Sequence, residues 1–197
     1  YDVKVQKFLI DELSKILPEA SFFGEEDTSN NIKDLSKEYT FYIDPIDGTT
    51  NFMFGYNHSS ISVGLAQNGR MIAGFVYNPY VDEMYKAVKN EGAFLNDKPL
   101  TMEDRAVSEG IIAFGCARYN ESKIDVLFST VKELFLKSLS IRSGGSAAID
   151  LSRIAKGANV IYIELKLQPY DYAAASVILE EAGGLITRIG GGEISLT

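Results

Sequence analysis

The chain has 197 residues, 46% of them hydrophobic, which is enough to bury a sizeable core in one large domain or in two small, closely packed ones. A formal net charge of −8, with no block of Lys and Arg and no apolar run of membrane-spanning length, argues against a nucleic-acid or membrane surface. One cysteine, Cys116, excludes an internal disulfide framework and predicts a reducing, cytoplasmic setting, and one histidine, His58, leaves little material for a zinc site or a Ser-His-Asp triad.

The first half of the chain is predicted to form one helix followed by mostly antiparallel strands. Apolar residues recur on one helical face between residues 3 and 17, and Pro18 ends that helix. The polar segment 28–38 predicts a loop, and Asn68-Gly69 predicts a two-residue hairpin turn. Strands are predicted at residues 21–27, 39–44, 59–66, 71–77, 84–90 and 92–100.

The second half alternates strands with helices, a pattern that favours an α/β layer. Strands are predicted at residues 111–117, 138–143, 159–165 and 185–189, and helices at residues 123–138, 146–158 and 171–184. We expect two halves, residues 1–110 and residues 111–197, that pack as one compact unit.

Acidic and small residues recur at four predicted strand-to-helix junctions. These are GEED at residues 24–27, DPIDGTT at 44–50, GGSAA at 144–148 and PYDYAAA at 169–175. In α/β layers, ligands collect at the carboxyl ends of strands, facing the N-termini of helices. Segments that are far apart in the sequence are therefore expected to meet at one site.

The segment DPIDGTT combines two carboxylates with a bend. Pro45 fixes its own backbone and pushes Asp44 towards an extended conformation, so that Asp44 and Asp47 are held on either side of the bend. The carbonyl of Ile46 is then expected to lack a regular partner in the sheet. Carboxylate and carbonyl oxygens are hard ligands, which suit magnesium or manganese and not zinc.

The glycine and the threonines of the same segment suit an anion. Gly48 allows the backbone to turn and to approach a ligand closely, and Thr49 and Thr50 offer N–H groups and hydroxyls. An anion site beside hard cations is what phosphoryl transfer requires. Taken alone, however, a D-P-x-D-G segment is more often an ordinary bend than a metal site, and its acids do not have the alternate spacing of an EF-hand calcium loop.

Three motifs together resemble the inositol monophosphatase family of lithium-sensitive, magnesium-dependent phosphatases, a superfamily that includes the fructose-1,6-bisphosphatases. They are GEE at residues 24–26, DPIDGTTNF at 44–52, and PYDYAAA at 169–175 ahead of the helix end EAGG. The Thr-Asn-Phe ending is similar to the inositol monophosphatase branch and differs from that of 3′-phosphoadenosine 5′-phosphate phosphatases. The resemblance implies a layered αβαβα sandwich of the α/β (α+β) class, with a largely antiparallel first sheet and a mixed second sheet.

The resemblance also implies a set of metal ligands for two or three Mg²⁺ ions, with Mn²⁺ as a possible substitute. Glu25, Asp44 and the Ile46 carbonyl would hold the first ion, and Asp44, Asp47 and Asp171 the second. A third, weaker ion would lie near Glu25. Without the resemblance, Asp171 would be interpreted as the N-cap of the helix that follows it.

The remaining site residues follow from the same resemblance. Thr49 would orient or deprotonate the attacking water, with its hydroxyl paired to Asp2, which otherwise looks like a helix N-cap or a solvated acid. The implied catalytic set is Thr49, Asp2, Glu25 and Asp47. The implied substrate-binding set is the backbone of Gly48 and Thr49 for phosphate, and Gly145, Ser146, Ala147 and Glu164 for the hydroxyls of the substrate ring.

The function implied is the hydrolysis of myo-inositol monophosphate, or of a related small polyol or sugar phosphate, by in-line attack of a metal-activated water. Fructose-1,6-bisphosphatase or dual inositol and fructose activity is the first alternative, followed by 3′-phosphoadenosine 5′-phosphate and histidinol phosphate. A homodimer is expected by resemblance alone. Two further alternatives are a catalytically inactive protein that keeps the fold, and a plain calcium-binding module. The intact acidic set argues against the first, and the missing alternate-acid loop argues against the second.

Overall fold

The computed structural model describes residues 1–26, 37–116 and 121–196, so the loop predicted at 28–38 lies almost entirely outside the described residues. The helices are α1 (Asp2–Ile16), α2 (Thr49–Met53), α3 (Glu121–Phe135), α4 (Ala147–Ala155) and α5 (Pro169–Glu181). The strands are β1 (Ser21–Gly24), β2 (Tyr39–Asp47), β3 (Ser60–Gln67), β4 (Arg70–Asn78), β5 (Glu83–Val88), β6 (Gly92–Leu95), β7 (Lys98–Leu100), β8 (Ile111–Phe114), β9 (Ser140–Arg142) and β10 (Ile161–Ile163).

The first sheet contains seven described strands in the order of the sequence, β1 to β7. β1 pairs with β2 in parallel, and every later pair is antiparallel. Short turns join the strands from β3 to β7, and the longer segment that contains α2 joins β2 to β3. The hairpin at Asn68-Gly69 is confirmed, with φ angles of 50° and 74° that both lie in the left-handed region. The segment predicted as one strand at 92–100 instead folds into two strands around a second turn, at Asn96-Asp97.

The second sheet, predicted as mixed, is parallel throughout its three described strands, in the order β10-β8-β9. Its direction follows from its connections, because α3 joins β8 to β9 and α4 joins β9 to β10, and a helical crossover returns the chain in the same direction. The strand predicted at 185–189 is wrong. That segment lies outside both sheets and leads into a turn in which the Gly191 N–H donates to the Arg188 carbonyl at 3.0 Å.

Five layers are stacked in the predicted αβαβα order. α1 covers one face of the first sheet, with Ile10 packed against Phe22, Phe41 and Ile43. α4 and α5 cover the other face and form the main apolar core with β4 and β5. The second sheet lies beyond α4, and α3 closes its far side through Leu127. The division of the chain at residue 110 stays a prediction.

Within the described ranges, every helix is too short or too polar to cross a membrane.

Candidate active site

The site begins at an irregularity at the end of β2. Asp44 pairs with Ser62 and Asp47 pairs with Ser60, so β2 has one more residue between these pairs than β3 has, and the ladder bulges. The Ile46 N–H donates to Asp44 Oδ1 at 3.1 Å. The carbonyl of Ile46 accepts the Thr49 hydroxyl at 3.1 Å. The predicted bend, with one acid on each side, is confirmed. The Ile46 carbonyl, which was expected to lack a regular partner in the sheet, accepts this hydrogen bond from Thr49.

Gly48 connects this bulge to α2, a short helix that the sequence did not predict. Its φ angle of 92° lies in the left-handed region, which glycine adopts readily. Space is equally restrictive, since a Cβ atom added at Gly48 would lie 2.8 Å from the Gly145 carbonyl oxygen and 3.1 Å from that of His58. Glycine is therefore required here both by backbone conformation and by the close approach of the segment around residue 145.

We expect the substitution Gly48→Ala to lower the free energy of unfolding by about 3 kcal/mol or more, since backbone strain of about 1–3 kcal/mol adds to a steric clash. Gly69→Ala is the matched control. Gly69 also has a positive φ angle, of 74°, but no atom lies within 4 Å of an added Cβ, so only the strain remains. Denaturant unfolding of both variants measures the difference, and equal losses would contradict the close approach.

Asp47 is buried and joins the two halves of the chain. Its carboxylate accepts the Ser146 hydroxyl at 2.5 Å, the Ala148 N–H at 2.8 Å and the Ala147 N–H at 3.2 Å. The Ser60 hydroxyl donates to it at 3.4 Å. The two N–H groups belong to the first turn of α4, where a helix has donors to spare and favours negative charge. This contact brings the DPIDGTT and GGSAA segments together, as predicted.

The four donors to Asp47 include residues with expected roles and residues that sequence analysis missed. Ser146 and Ala147 were expected to face the substrate, and here their polar groups point at Asp47, so their contact with substrate stays a prediction. Ser60 and Ala148 were not predicted. Ser60 begins a strand and Ala148 lies in the first turn of a helix, which are common positions. Only the register of β2 on β3 and the placement of α4 make them partners of Asp47.

Asp44 and Glu25 form the second part of the acidic site. Asp44 is 2% exposed, and burial raises its pKa well above the ordinary range, helped by the charges of Asp47 and Glu25. Glu25 lies at the exposed rim and shares a side-chain hydrogen bond with Asp44. Loss of surrounding water also raises the pKa of Glu25. Two carboxyl groups joined in this way share a proton when no cation separates them.

Asp171 enters from the other half of the chain, but it is not the N-cap of α5. Gln168 is the N-cap, and Asp171 is the third helical residue of a capping box, accepting the Gln168 N–H at 2.6 Å. Burial raises the pKa of Asp171 to about 7, and the charges of Asp47 and Glu25 act in the same direction. Asp171 therefore faces the same acids as predicted, from a position three residues inside its helix.

These four acids fit a divalent cation by their chemistry. In the described part of the chain, none of them forms an ion pair with Lys, Arg or His. Buried carboxylates without a positive partner are costly, and hard cations are their usual counter-ions. As the side chains stand, however, no group of three described His, Cys, Asp or Glu residues is arranged to hold a metal ion. The donors are of a suitable kind, and cation binding would require their side chains to come closer together.

Two further predicted residues lie at the edges of this site. The side chain of Asp2 is 19% exposed, and its charge contributes to the raised pKa of Glu25. The Thr49 hydroxyl donates to Ile46, as described above, so its pairing with Asp2 stays a prediction. Glu164 accepts a hydrogen bond from the Tyr162 hydroxyl, and its charge reaches Asp171. Its contact with substrate likewise stays a prediction.

Asp150, on α4 behind the site, carries a pH-dependent stability cost. It is 1% exposed, and burial raises its pKa to about 6, although Arg153 at 4.0 Å acts in the opposite direction. A raised pKa means that the folded protein holds the proton more tightly than the unfolded chain. Below pH 3.8, the ordinary pKa of the group, Asp150 does not affect stability, and it destabilises the fold as the pH rises through the folded-state pKa of about 6.

We therefore expect Asp150→Asn to raise the free energy of unfolding at about pH 8 by roughly 2–3 kcal/mol, at about 1.4 kcal/mol per pKa unit. At about pH 4 the same substitution should have little effect, because Asp150 is largely protonated in the fold. Urea unfolding at the two pH values measures this. A stabilisation of equal size at both would show that ionisation is not the cause.

Comparison with known proteins identifies relatives along the whole chain. A model of the inositol monophosphatase family matches residues 1–197. Inositol monophosphatase 1 of Bos taurus is 36% identical over 199 residues, which cover 99% of this chain and 72% of the bovine protein. The inositol-1-monophosphatase of Bacillus subtilis (strain 168) is 35% identical over 192 residues, with 96% and 71% coverage. The structure of inositol monophosphatase from Anabaena (Nostoc) sp. PCC 7120 matches with a TM-score of 0.90 and 29% identity, covering 99% of this chain and 77% of that one.

These relatives are named as phosphatases of one kind, and the solved one shares the layered fold described above. The chain belongs to the inositol monophosphatase family. The resemblance found in the three sequence motifs is thereby confirmed.

Proposed function

We propose that the protein is a Mg²⁺-dependent phosphatase that hydrolyses myo-inositol monophosphate or a closely related polyol phosphate. Family membership gives the enzyme class, phosphoric monoester hydrolase, to which the relatives named above belong. The observation that carries the proposal is the electrostatic proximity of Asp44, Asp47 and Asp171, from both halves of the chain, none of which is ion-paired to Lys, Arg or His among the described residues. A site of this kind is built for cations and for an anion that those cations neutralise.

The residues divide into holding and positioning roles. Glu25, Asp44, Asp47, Asp171 and the Ile46 carbonyl would hold two or three Mg²⁺ ions, with Mn²⁺ as a substitute. Bound ions of this type activate water and neutralise the phosphate and the leaving alkoxide. The acids themselves need no special protonation, because a bound cation lowers their pKa.

The substrate would be held by backbone and hydroxyl groups beside these acids. The N–H groups of Gly48 and Thr49, at the start of α2, would bind phosphate, and the Thr49 hydroxyl would orient the attacking water, with Asp2 as its partner. Gly145, Ser146, Ala147 and Glu164 would contact the ring hydroxyls. The first assignment is supported by the position of Gly48, which is the N-cap of α2 and follows Asp47 directly.

Alternative substrates use the same chemistry. Fructose 1,6-bisphosphate, 3′-phosphoadenosine 5′-phosphate and histidinol phosphate are each a phosphate monoester that the same cations would activate. We place them after inositol monophosphate because the relatives named above are inositol monophosphatases.

The test is phosphate release from a panel of these four esters by the purified protein with Mg²⁺, with and without added lithium. We expect the highest kcat/KM for myo-inositol monophosphate, and inhibition by lithium. Turnover of none of the esters would contradict the proposed activity, and a clear preference for another ester would correct the substrate. Sedimentation of the same sample tests the proposed homodimer.

A further inference from the structure

The side chain of Asn51, on α2, connects two segments that are far apart in the sequence. Its Nδ2 atom donates to the His58 carbonyl at 2.7 Å and to the Gly144 carbonyl at 2.8 Å. An amide nitrogen has two hydrogens, so both are used on backbone carbonyls. The side chain therefore acts as a bridge between the segment after α2 and the segment before α4.

The backbone at residue 145 packs closely against the side chain of Asn51. A Cβ atom added at Gly145 would lie 3.0 Å from Asn51 Nδ2 and 3.3 Å from its Oδ1. The carbonyl of Gly145 in turn faces Gly48, as described above. The Gly144 N–H also donates a hydrogen bond to the Asp150 carboxyl group. The peptide units at 144 and 145 are thus in contact with Asn51, Gly48 and Asp150.

Two tethers join the segment 144–148 to the segment 44–52. One is the Asp47 carboxylate, which accepts hydrogen bonds from Ser146, Ala147 and Ala148. The other is the amide of Asn51. A cation bound at Asp47 would compete for the same oxygen lone pairs and would weaken the first tether. The second tether carries no charge and uses only backbone acceptors, so it would be kept when a cation binds.

We propose that Asn51 is a positioning residue that holds the segment 144–146 against the substrate ring when a cation draws on Asp47. This inference rests on the proposed function, because it gives that segment the ring hydroxyls as ligands. The phosphate and the reacting water are assigned to Gly48 and Thr49 in the proposed function, and Asn51 would act on the ring through the segment it holds. Its loss should weaken the binding of esters with ring hydroxyls, and should spare phosphate esters that have none.

The first test compares Asn51→Asp with the wild type on myo-inositol monophosphate and on p-nitrophenyl phosphate, both with Mg²⁺. Aspartate has the same shape but cannot donate to the two carbonyls. We expect KM for the inositol ester to rise roughly tenfold, the loss expected from one or two neutral hydrogen bonds, with a smaller change in kcat. KM for p-nitrophenyl phosphate should stay within about twofold. Equal losses on both esters would overturn the proposal.

Asn57→Asp is the matched control, because it adds the same charge at an exposed position in the loop that follows α2, and it should leave both KM values unchanged. If Asn51→Asp does not fold, Asn51→Ser shortens the donor without adding charge, and the same selective rise in KM is expected. Retention of the wild-type KM for the inositol ester in a folded Asn51 variant would overturn the proposal.

Hydrogen exchange separates this inference from the proposed function. We expect Asn51→Asp to speed exchange of the backbone amides of residues 145–148, and to do so more strongly with Mg²⁺ present. Such acceleration supports the tether even if the wild type hydrolyses neither ester, an outcome that would contradict only the proposed function. Unchanged exchange at these amides would overturn the tether whatever the activity.

Discussion

Replacing Asp44 with asparagine is expected to abolish catalysis and to make the cation-free protein more stable. The asparagine side chain would keep the oxygen that accepts the Ile46 N–H, and it would remove a buried charge whose pKa is raised well above the ordinary range by burial and by two neighbouring acids. As the pH rises above the ordinary pKa of an aspartate, the wild-type carboxyl group therefore destabilises the fold increasingly. The variant has no ionisable group at this position and lacks this destabilisation. Loss of a cation ligand removes several kcal/mol of transition-state stabilisation, which is about 10³-fold or more in kcat/KM.

The measurements are phosphate release with Mg²⁺ and thermal unfolding at about pH 8 in the presence of a chelator. Asp104→Asn is the matched control, because Asp104 is exposed, and both quantities should stay at the wild-type value. Activity of the Asp44→Asn variant within tenfold of the wild type would show that the cation site is misplaced.

Asp47→Asn should be equally inactive but should destabilise the protein. Burial raises the pKa of Asp47, and four hydrogen bonds offset part of that rise and make the carboxylate part of the fold. An asparagine there has one acceptor oxygen in place of two, and it points an NH₂ group at the donors of Ser146, Ala147 or Ala148. A buried donor left without a partner costs about 1–3 kcal/mol, so we expect the free energy of unfolding to fall by about 2 kcal/mol.

Asp44→Asn and Asp47→Asn serve as controls for each other, because the two acids are three residues apart and the change is identical. Denaturant unfolding of both cation-free variants should give shifts of opposite sign. A stabilised Asp47→Asn variant would show that the hydrogen bonds from α4 do not hold the Asp47 carboxylate in place.

Most of the architecture could be predicted from local patterns. The helical face at residues 3–17 and the Asn68-Gly69 turn are signals contained within a few residues, and both are confirmed. The strand predicted at 185–189 has the same apolar composition as a real strand, but composition does not show whether a neighbouring strand edge is there to pair with. The parallel direction of the second sheet depends likewise on crossovers and not on the strands themselves.

The candidate site could also be predicted only in part, because some of its contacts lie within one short segment and others join distant segments. Asp44, Pro45 and Asp47 lie within one short segment, so their bend could be derived from residue chemistry alone. The partners of Asp47 are 13 to 101 residues away, and only the folded register brings them together. Asp171 was interpreted as the N-cap of α5, but the N-cap is Gln168, three residues earlier. Pro169 occupies the first helical position, so the helix begins before Asp171.

The central claim is that the acids around Asp44 hold divalent cations that phosphate-ester hydrolysis requires. The most direct measurement is phosphate release from myo-inositol monophosphate by the wild-type protein after treatment with a chelator, before and after Mg²⁺ is restored. We predict no release without the cation and full recovery with it, and no recovery in the Asp44→Asn variant. Release that continues at the wild-type rate after the chelator has removed all divalent cations would contradict this account.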